Sequence, residues 1–282
     1  MARFYYDLIE SGHRCLSNVE LREFKEAEVI IIDNVVEYVN KNNKKIEHKD
    51  LPLLVPPFKK IFIEANRPMY FKKIKKYKGK LKIYGRRWGY LVTYKKQDYG
   101  YELYIKEYTD RTSHIKRMKP EKISNYLQVS KSHPMTLRLN EKGYANKLFL
   151  RYSDKTYRTK KRKIYYGKIM PMLFALSLMN CANVEYVENT FDNEAEVSEK
   201  SERKHNKKYK TLKVKPMQNN IQKKSNCIDE ENIMPLHICR GHFKDYREKG
   251  LFGKYKGIYW WDSQVRGNAE NGEVKKDYEI VV

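Results

Sequence analysis

The most chemically loaded stretch of the sequence reads His237-Ile238-Cys239-Arg240-Gly241-His242-Phe243-Lys244-Asp245-Tyr246, followed by Gly257-Ile258-Tyr259-Trp260-Trp261 and Val265-Arg266-Gly267. Imidazoles supply a general base and a general acid, and guanidinium groups neutralise a phosphate. A catalytic set of His237, Arg240, His242 and Arg266 would therefore suit metal-free, ribonuclease-like chemistry. The same residues also suit plain binding of phosphate or of an acidic partner, with Tyr246, Tyr259, Trp260 and Trp261 as stacking or interface residues. A third reading is structural: Arg240 and Arg266 pair with Asp262 or Asp277, and the two tryptophans fill the core. Nothing in the sequence orients a base against a nucleophile, so the three readings stay open. Cys239 with His237 and His242 lacks a fourth ligand for zinc. Neither a metal nor a cofactor is expected, and no Walker, dinucleotide or Ser/His/Asp pattern appears.

Charge marks two further segments. The chain of 282 residues carries 59 Lys+Arg against 35 Asp+Glu, a formal net of +24, and 24 tyrosines. Such an excess favours nucleic acid or the acidic surface of another protein as partner. Lysine and tyrosine are also favoured by AT-rich coding, which accounts for part of the total. Eleven cations fall between Met69 and Asp98, among them Lys72, Lys73, Lys75, Lys76, Arg86, Arg87, Lys95 and Lys96. Eight more lie between Arg151 and Lys168, including Arg158, Lys160, Lys161, Arg162 and Lys163. Basic side chains would meet phosphates, while interleaved aromatics such as Tyr84 and Trp88 would stack on bases or line an interface. Alternation in a strand would instead turn the tyrosines inward, so core packing competes with stacking.

The elements that must position these residues read as an α+β fold: a twisted, mainly antiparallel sheet with a long N-terminal helix and a second apolar helix. Arg3 to Ile9 reads as a short strand. Ser17 and Glu20 have capping-box spacing, and the apolar stripe behind them predicts one helix over 18–41. Strands are expected at 60–65, 81–84, 88–94, 101–108, 135–139, 146–152 and 211–215, with a Tyr99-Gly100 hairpin turn. Pro171 opens the apolar run Met172–Met179, the expected second helix. The organisation expected is a main domain over 1–189, a charged linker or exposed helix over 190–208, and a strand-rich segment over 209–282 packed back on that domain. No run is apolar enough for a membrane span, the start has no secretory pattern, and four scattered cysteines suit a reducing compartment. A cytoplasmic location follows as the expectation, without membrane contact, and self-association into a homo-oligomer is compatible with it.

The C-terminal pattern resembles a module of uncharacterised proteins from phages, prophages and mobile elements. They carry a His-x-x-Arg-Gly-His-(Phe/Trp)-(Arg/Lys) strand, a Trp-bearing strand and a Val-Arg-Gly ending, matched here by His237, Arg240, Gly241, His242, Phe243, Lys244, Trp260, Trp261, Val265, Arg266 and Gly267. The segment Leu51–Phe58 is a weaker match. The resemblance implies a phage or mobile-element origin and no particular activity. The expected function is non-catalytic binding of nucleic acid or of a host nucleic-acid-associated complex, in the cytoplasm of the host cell. The alternatives are an inhibitor that docks on a host anti-phage defence protein, and a metal-independent ribonuclease-like enzyme using His242 and His237.

Overall fold

The computed structural model of the chain describes residues 4–11, 16–42, 47–69, 84–110, 129–131, 134–150, 158–190, 208–215, 235–239, 241–262, 264–266 and 268–273. They form two compact units, one of residues 1–180 with 186–213 and one of residues 181–185 with 214–282.

The N-terminal segment departs from the expected long helix. α1 (Phe4–Ser11) stands where a strand was expected, and residues 18–41 divide into α2 (Asn18–Lys25), β1 (Glu28–Ile31) and α3 (Asp33–Asn42). The capping box is present: Ser17 Oγ accepts from Glu20 N at 3.3 Å, and Ser17 N donates to the Glu20 carboxylate at 2.8 Å. The break comes from Val29-Ile30-Ile31, buried throughout in a strand with parallel neighbours on both sides. A strand covered on both faces reads as an unbroken apolar run, which merges with a helical stripe in sequence. α1 is helical because its buried residues, Phe4, Tyr5 and Leu8, share one helical face. Its first turn is also held from outside, since Phe4 N and Tyr5 N donate to the two Glu64 carboxylate oxygens at 3.0 and 2.8 Å.

The large sheet has the order β7-β6-β4-β3-β2-β1-β9-β8, with β5 (Val129–Lys131) paired to β4. Its strands are β2 (Lys60–Met69), β3 (Tyr84–Gln97), β4 (Gly100–Asp110), β6 (Met135–Leu139), β7 (Ala145–Leu150), β8 (Val184–Thr190) and β9 (Lys208–Val214), besides β1. From β2 to β7 the pairing is antiparallel, and the β3–β4 hairpin turns between Gln97 and Gly100. β1 lies parallel to both β2 and β9, so the sheet is mixed. The molecule is accordingly dominated by strands. Three of its four described helices have ten residues or fewer, which replaces the expected α+β arrangement built on a long N-terminal helix.

Helices cover both faces of the central strands. Phe62, Leu91 and Tyr108 pack with Phe4, Tyr5, Leu8 and Phe24 of α1 and α2. Gly89 makes room there: a Cβ at that position would come within 2.1 Å of the Phe62 ring. The alternate residues, Ile61, Ile63, Tyr90, Val92, Leu103 and Ile105, are buried as well. α3 packs on β2 and on α4 (Arg158–Met179), with Tyr38 and Phe174 5.5 Å apart. α4 contains the expected apolar helix but begins thirteen residues earlier than Pro171, which therefore lies inside it. The part of 151–168 that the structure describes is helical, in keeping with the helix propensity of lysine and arginine. No helix among the described residues is long and apolar enough to cross a membrane.

The Pro-rich segment before β2 is tied to the end of α4. Ser177 Oγ donates to Pro52 O at 2.6 Å, and the Asn180 amide donates to Leu53 O and Val55 O, each at 2.9 Å. Leu53 is held there at a φ of +42°, in the left-handed region that L residues avoid.

The small unit contains β10 (Pro235–Cys239), β11 (His242–Asp245), β12 (Ile258–Trp261), β13 (Gln264–Arg266) and β14 (Asn268–Glu273), with β10 between β13 and β14.

Candidate nucleic-acid interface

The C-terminal motif lies on two antiparallel ladders. β10 pairs β13 with Cys239 opposite Gln264, and β11 pairs β12 with His242 opposite Trp261. The two ladders belong to separate sheets, the three-stranded β13-β10-β14 and the two-stranded β11-β12 ribbon. Residues on β11 and β12 alternate between two faces. On one, Phe243 and Trp260 are direct cross-strand partners with ring centroids 4.8 Å apart, edge to face. Trp260 is buried and its indole N–H donates to Asp262 at 2.7 Å. On the other, the Lys244 ammonium lies 4.6 Å from the Trp261 ring centroid, and Tyr246 meets Tyr259 at 6.1 Å.

A single side chain seals the outer edge of β12. The Asn183 amide donates to Trp260 O at 2.7 Å, and its carbonyl accepts from Trp260 N at 2.9 Å. Ala182 N donates to Ile258 O at 2.7 Å alongside. Asn183 thus does for β12 what a residue of a neighbouring strand would do, which satisfies a buried peptide. The nearby Cys181 thiol is buried, and burial pushes its pKa up to about 12, so it is no nucleophile.

The connection between β11 and β12 is a tightly hydrogen-bonded loop. Tyr246 N donates to Gly257 O at 2.8 Å, Gly250 N to Tyr246 O at 3.0 Å, and Leu251 N to Tyr255 O at 2.8 Å. Leu251 is buried beneath it. At its tip Phe252 has a φ of +53° and is 79% exposed, and Tyr255 is 59% exposed. Gly253 follows with a φ of +71°, a conformation open to glycine at no steric cost. Lys249, Lys254 and Lys256 of the same loop are exposed as well. None of the three has an ion-pair partner among the described residues. Arg247 is different: its guanidinium is locked on Asp245 by bonds of 2.9, 3.0 and 2.6 Å.

The structure brings some of the sequence-predicted residues together and separates others. Tyr246, Tyr259, Trp260 and Trp261 do cluster, but Tyr259 and Trp260 are buried and give the ribbon its packing. His237 is the cross-strand partner of Arg266 on β10 and β13, while His242 is exposed opposite Trp261. His237 and His242 belong to different sheets among the described residues. Arg240 lies outside the described residues, as do Lys72, Lys73, Lys75 and Lys76. Arg86 and Tyr84 are placed only as backbone of β3, and Arg158, Lys160, Lys161, Arg162 and Lys163 as backbone of the first turns of α4.

Arg87 is half-buried and bridges Asp7 of α1 to Asp110 of β4, with Nη2 2.6 Å from the Asp110 carboxylate. Trp88 is buried in the sheet. Lys95 and Lys96 are exposed at the far end of β3. Among the described residues no group of three His, Cys, Asp or Glu is placed to hold a metal ion.

Phe252 and Tyr255 were not singled out from sequence, although a signal exists. Gly250, Gly253 and Gly257 punctuate Leu251-Phe252 and Lys254-Tyr255-Lys256, a spacing that suits a turn and no strand. Aromatic residues in such a turn cannot all be core. A scan against protein-family models and searches of the curated proteins and of the solved structures give no match for the chain.

Proposed function

We propose that the protein is a non-catalytic nucleic-acid-binding protein that holds a single strand at the tip of its C-terminal ribbon. The observation that carries this reading is Phe252. A non-glycine residue in the left-handed region costs about 1–2 kcal/mol, and a ring left in water recovers none of it. Folding alone would place glycine or asparagine there. The ring shares its loop with Tyr255 and three exposed lysines, which is the composition of a stacking platform with phosphate contacts. Both rings can stack only on unpaired bases, so a single strand suits the tip better than a duplex. The resemblance to phage and mobile-element proteins is consistent with a binder in such a setting, acting in a host cell.

Binding of labelled single strands by the full chain, followed by fluorescence anisotropy, tests this reading. Phe252→Ala with Tyr255→Ala should weaken affinity by about 10-fold or more, from about 1–3 kcal/mol per stacked base. His242→Ala should leave affinity nearly unchanged and reveal no lost cleavage activity. Docking on a host protein, the inhibitor reading, draws on the same exposed apolar ring. A complex that survives nuclease treatment in a lysate pulldown and vanishes in Phe252→Ala would favour that reading instead.

A further inference from the structure

The large unit carries an exposed surface of its own. α1 and α2 cover one face of the sheet as far as Lys106, whose ammonium meets Glu23 of α2 at 2.8 Å. Beyond Lys106 the same face continues over β3, β4, β6 and β7 without a described helix on it. The registers lay its residues out as a grid. Thr93, Tyr104, Thr136 and Phe149 form one row, and Lys95, Glu102, Arg138 and Lys147 form the next. At the usual strand spacing, that second row spans about 14 Å.

One carboxylate organises this grid. Glu102 accepts from the Tyr99 hydroxyl, from the Tyr104 hydroxyl at 2.8 Å and from Arg138 Nε at 2.9 Å. The Arg138 guanidinium sits 5.1 Å from the Tyr99 ring centroid. Tyr99 is 45% exposed and Tyr104 39%. The cross-strand partners of Tyr104 on the flanking strands are Thr93 and Thr136. The orientation of the Tyr104 ring is fixed by the hydroxyl tether before any ligand arrives, which lowers the entropy cost of a contact. Lys95 is exposed and has no ion-pair partner among the described residues, and Lys147 is exposed too; Lys96, opposite Tyr101, belongs to the other face. Hence the charge of Glu102 is absorbed by its own donors, and the cations around it dominate the face.

We propose that this open face of β3, β4, β6 and β7 is a second surface for single-stranded nucleic acid, with Tyr104 stacking on a base and Lys95, Arg138 and Lys147 meeting phosphates. The proposal rests on nucleic acid being the ligand, as argued for the ribbon tip, but it assigns a different surface in a different unit. A tethered ring on a flat, cation-rimmed sheet matches the way sheet-borne aromatics read unpaired bases. Duplex DNA would hide the base faces that the ring needs.

The test uses the full chain with fluorescein-labelled oligouridylate and oligothymidylate, and with 5-iodouracil analogues for photo-crosslinking. Tyr104→Ala should weaken binding by about 5- to 100-fold. Tyr104→Phe keeps the ring without its bond to Glu102 and should retain most of the affinity, which separates stacking from loss of the tether. Lys95→Glu with Lys147→Glu should weaken binding and flatten its salt dependence. Crosslinks should appear within residues 99–106 as well as at the ribbon tip. Unchanged affinity in both the Tyr104→Ala and lysine variants, with crosslinks confined to 246–257, would overturn this surface and leave the ribbon reading standing. No binding of any single strand by the unmodified protein would overturn both. A nuclease-resistant protein complex lost in Tyr104→Ala, with oligonucleotide affinity unchanged, would assign the face to a protein partner and also overturn the proposal.

Discussion

Glu64 offers the sharpest test of how the N-terminal helix is attached. It is fully buried on β2, and its two oxygens receive the backbone N–H groups of Phe4 and Tyr5 at 3.0 and 2.8 Å. The first N–H groups of a helix have no partner within it, so this carboxylate supplies a cap from sixty residues away. Glu64→Ala would leave both donors buried without an acceptor, at about 1–3 kcal/mol each. Relief from burying a carboxylate offsets part of that loss. A net destabilisation of about 2–4 kcal/mol is expected for the large unit. Glu64→Gln retains one acceptor but turns an NH2 group toward the other donor, so it should fall between the two. Urea unfolding gives the order, and hydrogen exchange at the Phe4 and Tyr5 amides localises it. If Glu64→Ala unfolds within about 0.5 kcal/mol of the unmodified protein and keeps those amides protected, α1 is held by other contacts and the capping argument fails. The Arg87 bridge to Asp7 holds the same helix, so Glu64→Ala and Arg87→Ala should combine non-additively.

Further expectations concern the other parts. Asn183→Ala removes both bonds to the Trp260 peptide and should cost about 2–4 kcal/mol locally, read as quicker exchange of the Trp260 amide; an unaltered rate would mean that β12 holds its edge unaided. Glu102 is held well below the ordinary carboxylate range, at about 2, by its bonds from Tyr99, Arg138 and Tyr104. Because the folded value lies below the unfolded one, its stabilisation is present above a pH of about 4.3 and is lost as pH falls from there towards 2. Urea midpoints at neutral and acid pH should therefore differ more for the unmodified protein than for Glu102→Gln, and equal differences would contradict that linkage.

The hairpins of the large sheet were legible because period-two patterning and turn residues mark antiparallel strands directly. β6, for example, alternates buried and less buried residues as its sequence suggests. β1 was hidden for the opposite reason: flanked by β2 and β9, it has no polar face and merges with the helical stripes around it. α1 was less legible, since part of what holds its first turn is Glu64, a contact too distant in sequence for local patterning to carry. Within the ribbon, the motif's large rings include packed residues and leave out the most exposed ones. Trp260 and Tyr259 drew notice by type, yet a large ring is more often packing than platform. The exposed pair, Phe252 and Tyr255, sits in the turn that the glycines announce.

The claim that the ribbon tip binds a single strand is tested most directly by the salt dependence of that binding. Each phosphate neutralised on a single strand contributes about 0.7 to the log–log slope. Replacing Lys249, Lys254 and Lys256 by glutamine should thus reduce the slope by about 2, with Phe252→Ala lowering affinity at every salt concentration and leaving the slope nearly intact. Equal slopes for the unmodified and lysine-substituted proteins, together with full affinity in Phe252→Ala, would contradict the account.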